Sequence, residues 1–249
     1  AALGAFGIFF MQAPSFLEYQ RQLHHRQGHD NAQTLFGIEP IPCDNQIRTL
    51  LDPIAPHYFN PVFFEVFAHL EQQRLLEPFR VLDHQLLVSL DGTQYFSSQA
   101  LHCPNCLTRQ LSNGRTLYYH TAITPVIVCP GRAQVIALAP EYIRPQDGHE
   151  KQDCEQAAGK RWLAQHASTL VPHHVTLLGD DLYSKAPFCA LALQQGFNFI
   201  LVCKPDSHPK FYKRLAFWQA QGAIAQYEQR RRKGRLTEVV SYRFINNVL

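Results

Sequence analysis

After about residue 83 the spacing of apolar residues changes from helical to strand-like, and the segments that follow come in the order β-β-β-α-β-α-β. "HQLLVSLDG", "TLYYHTAITPVIVC" and, after the turn-forming "PGR", "AQVIALAPEYI" are of strand length and rich in β-branched and aromatic residues. "KQDCEQAAGKRWLAQHAS" then predicts a helix with Cys154, Ala158, Trp162 and Leu163 on one face. "HVTLLGDD" predicts a strand, "KAPFCALALQQG" a helix closed by Gly196, and "FNFILVCKP" a further strand. Strands interleaved with helices make an α/β fold, because a sheet and a helix each bury an apolar face against the other.

The residues before this succession read differently. "FLEYQRQL", "NQIRTLLD" and "FFEVFAHLEQQRLL" repeat apolar positions every three or four residues, which predicts helices. Between them "GIEPIPCDN" is a break: Pro40 and Pro42 cannot lie inside a helix, and Cys43 or Asp44 is placed to start the next one. A helical bundle is expected, with a loose helix-turn-helix as the alternative. The organisation is thus a helical region over 1–82 with DNA binding as a candidate role, an α/β core over 83–204, and the start of an inserted β element over 205–249. The chain opens without methionine and closes on the strand-like "SYRFINNVL", so it is read as a fragment.

Composition narrows the class. Hydrophobic residues at 46% and charged residues at 17% belong to a globular chain. The net charge of +3 announces no polyanionic partner by itself, so partners must be sought in local patches. "ALGAFGIFFM" falls short of the roughly 20 apolar residues that cross a bilayer and predicts a buried helix instead. It lacks the basic flank of a secretory signal, so no membrane partner and a cytoplasmic location are expected. There the seven cysteines would stay reduced, as core thiols, metal ligands or redox groups.

Two acids stand at strand ends. Asp91 closes the first strand of the α/β succession and Asp180 the fourth, and in a sheet with these strands side by side the carboxylates converge. Magnesium is held by one or two carboxylates together with waters and substrate phosphate, and two such ions about 4 Å apart serve both oxygens of a phosphodiester displacement. Each acid also has a plain reading: "DG" after a strand is a common hairpin turn, and Asp180 or Asp181 before a helix is a common N-cap.

"LLVSLDGTQYFSS", "ALAPEYIRPQDGHEKQDCE" and "LLGDDLYSKAPFC" followed by "FILVCKPDSH" resemble the insertion-sequence DDE transposases, nearest the group catalogued as ISNCY. The resemblance runs over nearly the whole chain and is looser in the helical first third. It implies an RNase H-like core in which Asp91 and Asp180 hold catalytic magnesium with a third carboxylate. It also implies double-stranded DNA as partner, a homodimer acting on it, and a nucleoid-associated location when bound. In the family the third acid is usually a Glu on a helix beyond a β-rich insertion, which places it past residue 249. Glu228 and Glu238 are the nearest downstream acids and read as surface residues.

Other constellations remain open. "HCPNC" sets Cys103 and Cys106 at zinc-ligand spacing, with His102, His120 or Cys129 to complete a site, against the plain reading of free thiols. "QRRRKGR" supplies Arg230, Arg231, Arg232, Lys233 and Arg235, either a solvated face or a phosphate-binding run. Lys185 and Lys204 are further candidates for the DNA backbone, and Tyr183 for stacking or packing. The function expected is DNA transposition: metal-dependent phosphodiester hydrolysis at transposon ends, then strand transfer. A nuclease of the same fold without strand transfer and a non-catalytic DNA-binding remnant are the alternatives.

Overall fold

The computed structural model describes residues 1–25, 31–37, 43–145, 153–234 and 236–246. The chain forms two compact units, residues 1–66 and 67–249.

The first unit is helical. Helices α1 (Ala2–Phe10), α2 (Phe16–His25), α3 (Asn31–Phe36) and α4 (Asp44–Leu51) are followed by α5 (Asn60–Gln72), which runs into the second unit. Cys43 caps α4, its sulfur accepting the Gln46 amide at 3.4 Å, while Pro40 and Pro42 lie outside the described residues. The expectation of a buried helix over "ALGAFGIFFM" is half right. The helix forms, but Leu3, Phe6, Phe9 and Phe10 are exposed and only Gly4, Gly7 and Ile8 are buried. Gly7 is small because Tyr19 lies against it; a side chain there would strike the tyrosine hydroxyl.

The second unit is mixed α/β. Its first strands are β1 (Arg80–Val81), β2 (Gln85–Ser89), β3 (Gly92–Ser98), β4 (Leu107–Gln110), β5 (Thr116–Ile123), β6 (Val126–Val128), β7 (Ile136–Ala137) and β8 (Glu141–Ile143). After α6 (Glu155–Leu170) come β9 (Val175–Gly179), α7 (Ala186–Gln194), β10 (Asn198–Leu201) and α8 (Pro209–Ala220). A two-stranded ribbon, β11 (Ala225–Lys233) with β12 (Leu236–Phe244), follows.

The main sheet has the order β10-β9-β2-β6-β7, with β1 also paired to β2. β2 and β9 are parallel neighbours, as are β9 and β10, whereas β6 runs antiparallel to β2. A second sheet has the order β3-β5-β4 with β8 on β5. The two sheets arise because each of the three strands expected from sequence is interrupted. Pro125 separates β5 from β6 and Pro140 lies between β7 and β8, since proline has no N–H to give to a ladder. Asp91 lies at the matching break between β2 and β3, where its carbonyl accepts the Thr124 amide at 3.0 Å. The chain passes from β2 into β3 while both pair with the β5–β6 segment, so the hairpin-turn reading of "DG" is corrected.

The core is built where α6 meets the sheets. Ala158, Trp162 and Leu163 on α6 are fully buried together with Ile123, Ile127, Leu138, Leu86, Val88 and Leu177. Trp162 donates its indole N–H to the Ala139 carbonyl at 2.8 Å, which satisfies its polar atom inside the core. Cys154 is not on this buried face: it is exposed and occupies the N-cap of α6. Among the described residues no helix is long and apolar enough to cross a membrane.

Candidate functional site

The parallel register of β2 and β9 pairs Val88 with Leu177 and Ser89 with Leu178, and the Leu90 amide continues the ladder to the Leu178 carbonyl at 2.9 Å. Two residues on from Ser89 and Leu178 stand Asp91 and Asp180, at matched positions on strands about 4.8 Å apart. The chain leaves β2 to build β6 and β7 on one side, then crosses through α6 to build β9 and β10 on the other. In α/β sheets generally, ligands bind in the crevice beside the carboxyl ends of parallel strands whose connections diverge in this way. Both acids are exposed. Each fixes one oxygen locally: Asp91 Oδ1 accepts the Gly92 amide at 2.9 Å and Asp180 Oδ1 the Leu182 amide at 2.8 Å.

A third carboxylate reaches this place from α6. Glu155, in the first turn of the helix, accepts a 2.9 Å hydrogen bond at Oε1 from the Tyr183 hydroxyl, and its carboxylate lies close against Gly92. Burial pushes the Glu155 carboxyl up, the Tyr183 hydrogen bond opposes it, and the charges of Asp91 and Asp180 add to the rise. The three acids therefore feel one another. Their oxygens do not all lie within 4.8 Å, a closeness that among the described residues belongs to Cys103, Cys106 and His120. Gly92 leaves room for Glu155: a side chain there would meet the carboxylate and displace it.

Comparison with protein-family models, curated proteins and solved structures returns no match.

The supports of Glu155 are traceable. Arg161 holds Asp153 with two bonds, 3.1 and 2.7 Å, and Glu141 with one of 2.8 Å, which ties the start of α6 to β8. Tyr183 is fully buried against Phe188 and raised in pKa by burial and by Glu155, so it positions the acid and has no face free for a base. Gly159 and Gly179 admit its ring, since a side chain at either would press on it. The sequence signal for Glu155 was present in "QDCE" at the start of the clearest helix, but nothing in the spacing alone tells that this turn faces β2 and β9.

Asp181 does something different from its neighbour. It is buried, accepts the Lys204 amide at 2.6 Å, and stands 3.3 Å from His208 Nε2. The Lys204 amide above all holds its carboxyl below the usual range. Ser184 Oγ lies 2.7 Å from the same His208 nitrogen. A nucleophile triad needs hydroxyl and carboxylate on opposite ring nitrogens, so this group ties the loop after β10 to the loop after β9.

Of the basic candidates, Lys204 is exposed beyond β10, while Lys185 is half-buried with its ammonium 3.5 Å from the Ser207 carbonyl. Arg230, Arg231, Arg232 and Lys233 are exposed along β11; Arg235 lies outside the described residues. Strand alternation sends Arg230 and Arg232 to one face of the ribbon and Arg231 and Lys233 to the other. Glu228 pairs with Arg230 at 3.8 Å, and Glu238 sits across from Arg231 in the register, both on the exposed ribbon. At the cysteine pair, His120 approaches both sulfurs, whereas His102 stacks on Tyr118 and Cys129 donates toward the Pro78 carbonyl.

Proposed function

We propose that this chain carries the catalytic core of a metal-dependent DNA transposase with an RNase H-like fold. The observation that supports it most is the placement of Asp91 and Asp180 at matched ends of neighbouring parallel strands, with Glu155 against Gly92, the residue after Asp91. The first and fourth strands of the α/β succession lie side by side, as that fold requires of its two aspartates. The donors are hard carboxylate oxygens, partly open to solvent, a set that fits magnesium. Magnesium, when bound, would activate the attacking oxygen and stabilise the leaving oxygen of a phosphodiester.

The chain's own residues do the holding. Asp91 and Asp180 each keep one oxygen in a backbone hydrogen bond, which sets the side-chain direction and leaves the second oxygen outside that bond. Glu155, steadied by Tyr183, supplies the third acid. Lys204 and the arginines of β11 are exposed, which supports contact with a polyanionic backbone by each copy of a homodimer on DNA.

Because the third acid lies inside this chain, a second reading has support of its own: a nuclease that cuts without strand transfer. End-labelled duplex DNA incubated with the protein and Mg²⁺ separates the two. Cleavage followed by joined products supports transposition, and cleavage alone supports the nuclease. Replacing Asp91 or Asp180 by Asn should abolish both products, and unchanged cleavage in either variant would remove the site from the reaction.

A further inference from the structure

We propose that Cys103, Cys106 and His120 form a zinc site on the second sheet, with solvent in the fourth coordination position. The three donor atoms form a triangle: 3.8 Å between the sulfurs, 3.4 Å from Cys103 Sγ to His120 Nε2, and 3.3 Å from Cys106 Sγ to the same nitrogen. Zinc bonds of about 2.3 Å to sulfur and about 2.05 Å to nitrogen in a tetrahedron give edges of roughly 3.8 Å and roughly 3.6 Å. The triangle is thus close to one face of a zinc tetrahedron. Soft thiolates with an imidazole select zinc over the magnesium suited to Asp91 and Asp180, and the two sites share no residue.

The surroundings are those of a built site. The Cys103 amide donates to Cys106 Sγ at 3.3 Å and the Cys106 amide to the Cys103 carbonyl at 3.1 Å, folding the pair into a tight turn whose N–H supports a ligating sulfur. His120 belongs to β5, the central strand of its sheet, and its ring packs with Tyr95, stacked at 5.8 Å, and with Phe96 at 5.5 Å. Cys106 is buried directly before β4, while Cys103 is exposed. A metal here joins the connection between β3 and β4 to the strand that separates them. It holds in place a segment that carries no regular structure from residue 99 to residue 106.

Cobalt substitution under reducing conditions tests this. The purified chain, stripped and titrated with Co²⁺, should take up about one equivalent with thiolate-to-cobalt charge-transfer bands and tetrahedral d–d bands, all erased by Zn²⁺. Cys106→Ser and His120→Ala should each reduce the bands at least about tenfold. Cys129→Ser, whose thiol lies elsewhere, should leave them intact. Because a ligand variant can misfold, His120→Cys serves as the second probe: it restores a donor and should regain the bands with stronger charge transfer. Absence of tetrahedral bands in the folded wild-type chain, or full bands in Cys106→Ser or in His120→Ala, would overturn the assignment, as would failure of His120→Cys to regain them.

Discussion

The Tyr183 hydroxyl donates a 2.9 Å hydrogen bond to Glu155 Oε1, and through it a buried ring after β9 fixes an acid at the start of α6. The aim of Glu155 rests on this bond and on the room that Gly92 leaves beside its carboxylate. Tyr183→Phe keeps the packing against Phe188 and removes only the bond. It should cost about 1 kcal/mol of stability and weaken Mn²⁺ binding roughly tenfold or more, read by calorimetric titration. Unchanged metal affinity would show that Tyr183 does not position the site.

Gly92 offers a cleaner separation of stability from function. A methyl group at this position meets the mobile end of Glu155 and no backbone, so the carboxylate can swing aside at small cost. Gly92→Ala should therefore change stability by less than about 1 kcal/mol while lowering Mg²⁺-dependent cleavage sharply. A variant that cuts DNA at the wild-type rate would mean that the approach of Glu155 to β3 is incidental.

These residues also mark what the sequence made legible. The order of strands and helices after residue 83 could be read because each segment carries its own period and its own breakers, and Asp91 and Asp180 could be paired because both end strands of that order. The split into two sheets was not legible. It follows from Pro125, Pro140 and the Asp91 junction acting together across paired strands, which no single window reveals. The nearness of Glu155 to the two aspartates was not legible for the same reason: it depends on the meeting of α6 with β2 and β9.

The β11–β12 ribbon divides its basic residues between two faces, which gives the salt dependence of DNA binding a structural form. Replacing Arg230 and Arg232 by Ala should lower the slope of log affinity against log salt by about 2 if that face meets phosphate, and replacing Arg231 and Lys233 should then change it little. Equal slopes in wild type and in both double variants would show that the ribbon is a solvated face.

Acid sensitivity has a site as well. Burial pulls the His166 imidazole below its ordinary value on α6, beside Trp162, and His173 is lowered mainly by burial too. The folded chain holds the neutral ring, so this stability is present in full above about pH 6.5 and is lost as pH falls toward the folded value. The thermal midpoint should drop as pH falls below about 6.5, and His166→Leu should flatten part of that drop. An identical pH profile in the variant would remove His166 from the account.

The central claim is that Asp91, Asp180 and Glu155 share divalent metal. The most direct measurement is a crystal of the chain soaked in Mn²⁺ and recorded at the manganese edge. Anomalous density should lie between Asp91 and Asp180, with carboxylate oxygens at about 2.1 Å, and should vanish in Asp180→Asn. Density confined to other places, or none in a well-ordered crystal, would contradict the assignment of this crevice as a phosphoryl-transfer site.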